Sequence, residues 1–227
     1  TIPNNTHASL MRRYNWDVVD MVNINGRSLT SELVESIELK GILKVTSNYD
    51  EGRRGQWRII REYFPSTDQP ALVESYQIIN TGKNELAIEL QQINQKSITD
   101  PKKGVTGSFC IETLTDKSGH FTLQPGESLT FGASLLAYKE GEKAPLIDVQ
   151  KEKGQREALV GELMNKLVLE TPDPIIDRMF AFSKIRGCES IYETKGGPMH
   201  GPGGESYYAA IWANDQAEYI NPFFPFV

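Results

Sequence analysis

The residues whose types and spacing could do chemistry gather near the end of the chain. His200 and Glu205 lie in the glycine-rich stretch GGPMHGPGGES (196–206), and Tyr208, Trp212, Asn214 and Asp215 lie in the closing run YYAAIWANDQAEYINPFFPFV. A pyranose offers C–H patches that stack on aromatic faces and vicinal hydroxyls that a carboxylate or carboxamide binds in pairs. These types together predict a sugar-binding wall. A plainer alternative stands beside it: Asn214 or Asp215 caps the last helix and Trp212 is a core side chain. The residues by themselves leave both open.

Other chemistries fit poorly. The glycines of 196–204 have no Lys-Ser or Lys-Thr after them and no preceding strand of a βαβ unit, so neither phosphate-binding fingerprint applies. One histidine and one carboxylate, His200 and Glu205, do not make a metal site, and the spacing matches no zinc pattern. Ser206 is near His200, but the chain has no Gly-x-Ser-x-Gly elbow. Glu189 and Glu193, read as four apart on one helix face, cannot flank a scissile bond from opposite sides as a glycosidase pair must. They are expected to cap the helix or support other groups. No catalytic residue, metal or cofactor is assigned.

The elements that must position these residues change character along the chain. From Trp16 to Tyr138 the pattern is that of strands. Residues 17–24 precede an Asn25-Gly26 hairpin turn; Leu33–Leu39, Gly41–Ser47, Gln56–Phe64, Ala71–Asn80, Ser108–Leu114, His120–Leu123 and Ser128–Tyr138 follow. Glu85–Asn94 reads as the hairpin partner of Ala71–Asn80 across Thr81-Gly82-Lys83-Asn84. Many short strands with Gly, Pro and Asn turns predict a mainly β protein, an antiparallel β-sandwich.

After Gly141 the period becomes helical. Leu146–Leu167 places Leu159, Val160, Leu163, Met164 and Leu167 at three- and four-residue spacing, an amphipathic linker helix. Thr171-Pro172-Asp173-Pro174 then breaks it and offers Asp173 as N-cap with Pro174 at the first helical position. A second helix is expected from Pro174 to about Tyr192, apolar on more than one face (Ile175, Ile176, Met179, Phe180, Phe182, Ile185) and so buried by several neighbours. Residues 196–204 read as a loop without regular structure. The implied domains are a sandwich over 1–140, a linker helix over 141–170 and the start of a helical domain over 171–227. The final Phe223-Phe224-Pro225-Phe226-Val227 expects a neighbour to cover its rings, which reads as the cut face of something larger.

Composition narrows the partners. The chain has 227 residues, 39% of them hydrophobic, with net charge -6 at pH 7. Nucleic acid is not expected, because phosphate binding needs clustered Lys and Arg and basic clusters such as Arg12-Arg13 and Arg53-Arg54 are short. No segment has the apolar length to span a bilayer. The two cysteines, Cys110 and Cys188, fall in segments assigned to different domains and are expected to be small buried side chains rather than a disulfide.

The order of parts resembles the six-hairpin glycosidases, which include glucoamylases, glycogen-debranching enzymes and α-L-rhamnosidases. The residues that carry the match are Phe64–Glu74 (FPSTDQPALVE), Leu129–Leu136 after Pro125-Gly126-Glu127-Ser128, and Tyr207–Asp215, which is similar to the glucoamylase pattern of tyrosines, Trp, a short gap and Asp. The resemblance implies a supersandwich, a linker helix and the first helices of an (α/α)6 barrel. It implies a glycoside hydrolase acting on oligo- or polysaccharide, with inversion, and a periplasmic or secreted setting. By it, Asp215 binds sugar hydroxyls in the −1 subsite and Trp212 lines that subsite; Asn214 departs from the Arg of glucoamylase-like members. Twelve barrel helices need roughly 300 residues, so the resemblance places the catalytic acid and base outside this chain. Its partners would be the carbohydrate and the remainder of its own barrel. A non-catalytic carbohydrate-binding or structural sandwich is the alternative.

Overall fold

The computed structural model describes residues 17–49, 56–103, 106–194, 196–201 and 213–226, with the backbone alone for 192–194, 215 and 219. In chain order the strands of the first part are β1 (Val22–Ile24), β2 (Arg27–Ser28), β3 (Glu32–Leu39), β4 (Leu43–Tyr49), β5 (Trp57–Pro65), β6 (Ala71–Asn80) and β7 (Leu86–Leu90). They are followed by β8 (Asn94–Ile98), β9 (Phe109–Thr115), β10 (Gly119–Leu123) and β11 (Ser128–Lys139). Helices α1 (Val149–Asn165) and α2 (Pro174–Cys188) come next, then the hairpin strands β12 (Ile191–Thr194) and β13 (Gly197–His200). Two compact units divide the described residues: 17–99 with 109–156, and 100–103, 106–108 and 157 onward.

The first unit is a sandwich of two antiparallel sheets, one in the order β10-β7-β1-β2 and one in the order β3-β4-β5-β6-β11-β9-β8. Alternation builds it. On β6, Tyr76 and Ile78 enter the core with Ile24, Ile59, Ile88, Leu90, Leu123 and Phe131, while Val73 joins a separate cluster with Phe64 and Val149 on the opposite face. The Asn25-Gly26 turn forms as expected: both residues have positive φ (51° and 73°), as a two-residue hairpin turn requires, and Ile24 pairs Arg27.

One end of the interior is polar. Arg61, Glu74, Ser47 and Tyr76 are buried. Arg61 pairs with Glu32 and lies 6.0 Å over the Tyr49 ring. The Tyr76 hydroxyl donates to Glu74 Oε2 at 2.5 Å, and its ring stacks on Phe131 at 5.0 Å. Burial pushes the Glu74 carboxyl and the Tyr76 hydroxyl above their ordinary ranges.

Helix α1 starts on the other face of the large sheet. The Asp148 carboxylate accepts from the backbone N–H of Gln150 and Lys151, both at 3.1 Å, and caps it. Arg156 is buried and donates twice to the Gly41 carbonyl, at 2.9 and 2.7 Å, and Lys153 pairs with Glu62 at 2.6 Å. The first half of the helix is therefore held by charged side chains together with Val149, which packs on Phe64 and Val73. The expected apolar stripe behaves differently: Leu163 is buried, whereas Leu159, Met164 and Leu167 are exposed. Helical spacing shows where apolar residues align but not which turn of the helix meets a sheet.

Three other expectations are corrected. Glu85–Asn94 is not the hairpin partner of Ala71–Asn80, because β6 lies between β5 and β11 and β7 lies between β10 and β1 in the other sheet. The buried Asn80 carboxamide explains the crossing: it donates to the carbonyls of Asn84 (2.8 Å) and Leu123 (2.9 Å) and accepts from Gly82 N–H (3.0 Å). Helix α2 stops at Cys188 instead of near Tyr192, and Gly197–His200, expected to be irregular, is a strand. Glu189 and Glu193 consequently do not share a helix face: Glu189 follows the helix end and Glu193 belongs to β12.

Candidate functional site

The local sequence places the site elements in the second unit. Asp173 Oδ1 accepts from Ile175 N–H at 2.8 Å and Pro174 opens α2, as the Thr-Pro-Asp-Pro signal predicts. Lys184, buried on α2, donates to the carbonyls of Met164 (2.9 Å), Lys166 (2.6 Å) and Leu167 (3.3 Å). An ammonium at a helix C-terminus satisfies orphan carbonyls and meets the negative end of the dipole, so Lys184 binds α2 to the end of α1. The expected burial of α2 on several sides is not what the helix shows. Ile185 is buried, but Ile175 (71% exposed), Met179 (64%), Ile176 and Phe182 face outward.

Beyond α2 the Glu189 N–H closes the helix on Ile185 O at 2.9 Å, and Arg186 pairs with Glu189 at 3.2 Å. The chain returns as β12 and β13, which place Ile191 opposite His200. Gly201 N–H donates to Ser190 O at 2.9 Å and extends the pairing one step. His200 is thus held at the open end of a short hairpin.

The closing segment reaches back to it. Residues Asp215–Ile220 form a π-helical turn, with Asn221 N–H donating to Gln216 O at 2.8 Å. From this turn Gln216 Nε2 donates to the His200 carbonyl at 3.0 Å, and Gln216 Oε1 lies 3.1 Å from His200 Nδ1. Phe224 adds a ring contact with the His200 imidazole, centroids 5.5 Å apart and planes at 67°. The segment also leans on α2 where Gly187 leaves room, since a Cβ there would stand 2.8 Å from Ile220 Cδ1 and 3.6 Å from Phe223. Phe223 and Phe224 are half-buried by these contacts and Phe226 stays exposed. The closing rings are therefore partly covered by their own chain.

Of the six residues expected at the sugar-binding wall, the structure brings together His200 and the turn that starts at Asn214 and Asp215. Asn214 is exposed, helical in backbone, and makes no side-chain cap bond, so the capping alternative fails for it. Tyr208, Trp212 and Glu205 lie outside the described residues, and so does the side chain of Asp215. Sequence reasoning missed Gln216 and Phe224. Their only signal was position, one residue after Asp215 and inside the aromatic run. Among the described residues no three His, Cys, Asp or Glu side chains gather as a metal site.

No family model and no curated protein matches the sequence. Among solved structures the fold is similar to that of a putative kojibiose phosphorylase from human microbiome, with a TM-score of 0.55 at 9% identity. That match covers 89% of this chain and 35% of the other, so the chain spans about a third of the length of that protein. The shared fold is an antiparallel β-sandwich followed by helices.

Proposed function

We propose that this chain is the front part of a carbohydrate-active enzyme that cleaves a glycosidic bond, built as a sandwich, a linker helix and the first helices of an (α/α)6 barrel. The observation that carries the reading is the likeness over most of the chain to a protein named as a putative kojibiose phosphorylase. In this reading His200, Asn214 and Asp215, with Tyr208, Trp212 and Glu205, contact sugar hydroxyls. Helices beyond residue 227 supply a carboxylic acid that protonates the leaving oxygen. Through an oxocarbenium-like transition state the attacking group is either water activated by a second carboxylate or inorganic phosphate. The outward apolar side chains of α2 meet those same helices.

The test is to incubate the protein from the complete reading frame with kojibiose and other disaccharides, with and without inorganic phosphate. Free monosaccharide alone indicates hydrolysis, and sugar phosphate indicates phosphorolysis. Neither product from any disaccharide or oligosaccharide defeats the proposal. The 227-residue chain alone is expected to be inactive.

A second reading, a non-catalytic carbohydrate-binding module, draws on one observation. A polar cleft of about 290 Å³ lies between the large sheet and the start of α1, lined by Lys44, Glu62, Ser75, Gln77, Thr130 and Gln150. Sugar binding that survives deletion of residues 170–227 favours it.

A further inference from the structure

We infer that Gln216 is a positioning residue that fixes the His200 imidazole as its Nδ1–H tautomer, leaving Nε2 as an acceptor for a ligand hydroxyl. The ligand part of this rests on the sugar reading above; the tautomer part does not. The orientation of the Gln216 amide follows from its partners. The His200 carbonyl accepts at 3.0 Å and so needs the NH2 end of the amide, which leaves the carbonyl end facing Nδ1 at 3.1 Å. Two acceptors would repel at that distance, so Nδ1 must carry the proton. In a neutral ring the other nitrogen then bears the lone pair.

Nε2 has no hydrogen-bond partner among the described residues. Its ring is held from two further directions, by the Phe224 contact and by its place at the end of β13. A nitrogen lone pair accepts a hydrogen bond from an O–H donor, and on the sugar reading a polyol hydroxyl supplies that donor. Gln216 stands on the π-helical turn, a conformation that recurs at functional sites.

The experiment labels the histidines of the whole 227-residue chain with nitrogen-15 and records long-range proton–nitrogen correlations of the neutral rings. His200→Asn assigns the signals. The expected result is Nδ1–H at His200, lost in Gln216→Leu toward the Nε2–H form that a free imidazole prefers in water. An Nε2–H ring in the unaltered protein, or a tautomer indifferent to Gln216→Leu, overturns the inference. Titration with kojibiose separates the two layers. A shift at His200 Nε2 supports the hydroxyl contact, whereas an unmoved Nε2 removes the acceptor role and the sugar reading of His200 but leaves the tautomer result standing.

Discussion

Glu74 and Tyr76 stand two residues apart on β6, and the hydroxyl of one donates to the carboxylate of the other inside the sandwich. Burial is the larger influence on Glu74 and raises its carboxyl above the ordinary value of 4.5, with the Tyr76 bond opposing. A raised folded-state value means the folded protein holds that proton more tightly than the unfolded chain does. The stabilisation is therefore complete below the ordinary carboxylate value and is lost as pH rises through the raised one. Glu74→Gln keeps an acceptor for Tyr76 and removes the titration. Its advantage over the unaltered protein in chemical denaturation is expected to grow from acid to neutral pH; a difference constant with pH rejects this account. The same scale shows what residue type can and cannot announce. His200 and Asp215 stood out because such side chains titrate or bind hydroxyls, whereas Gln216 has no such signature and became visible only through its two bonds to His200.

Elements meet where side chains permit, and Gly132 sets one such meeting. A Cβ on this β11 residue would lie 2.3 Å from Val149 Cγ2 and 2.8 Å from its Cβ, at the first residue of α1. A β-branched side chain cannot turn away from a clash at its own Cβ. Gly132→Ala is expected to cost about 1–3 kcal/mol as overpacking, and to cost much less in a Val149→Gly background, where the clashing Cβ is gone as well. A double-mutant cycle by urea unfolding measures the coupling, and additive losses count against the contact. Strands and turns here were legible, since alternation and Asn25-Gly26 are local. The partner of β7 was not, because Leu86, Ile88 and Leu90 require a buried face and are indifferent to which sheet supplies it. Likewise the end of α2 was misjudged because Ile191 and Tyr192 suit a strand as well as a helix.

At the scale of the molecule, each unit keeps its own character. The sandwich has a buried apolar core but leaves Leu33, Ile37 and Leu39 of β3 exposed, and in the second unit Ile175, Ile176, Met179, Phe182 and Val168 are exposed. Such a patch is expected to bind a hydrophobic dye. Ile175→Glu with Met179→Glu is expected to lower the dye fluorescence of the 227-residue chain, with the remainder owed to the exposed apolar side chains of β3, while its strand circular dichroism is unchanged. Unaltered fluorescence in that variant would falsify the assignment of the patch to α2.

The sequence by itself determined the antiparallel strands, their turns, the Asp173 cap and the residue types at the candidate wall, all of which depend on neighbours a few positions apart. Tertiary structure decided which strands pair, that the first half of α1 is held by Arg156 and Lys153 rather than by its apolar stripe, and that Gln216 reaches His200. Those are outcomes of distant segments competing for the same donors, acceptors and apolar faces. Spacing along the chain records the groups on offer but not the contest between them.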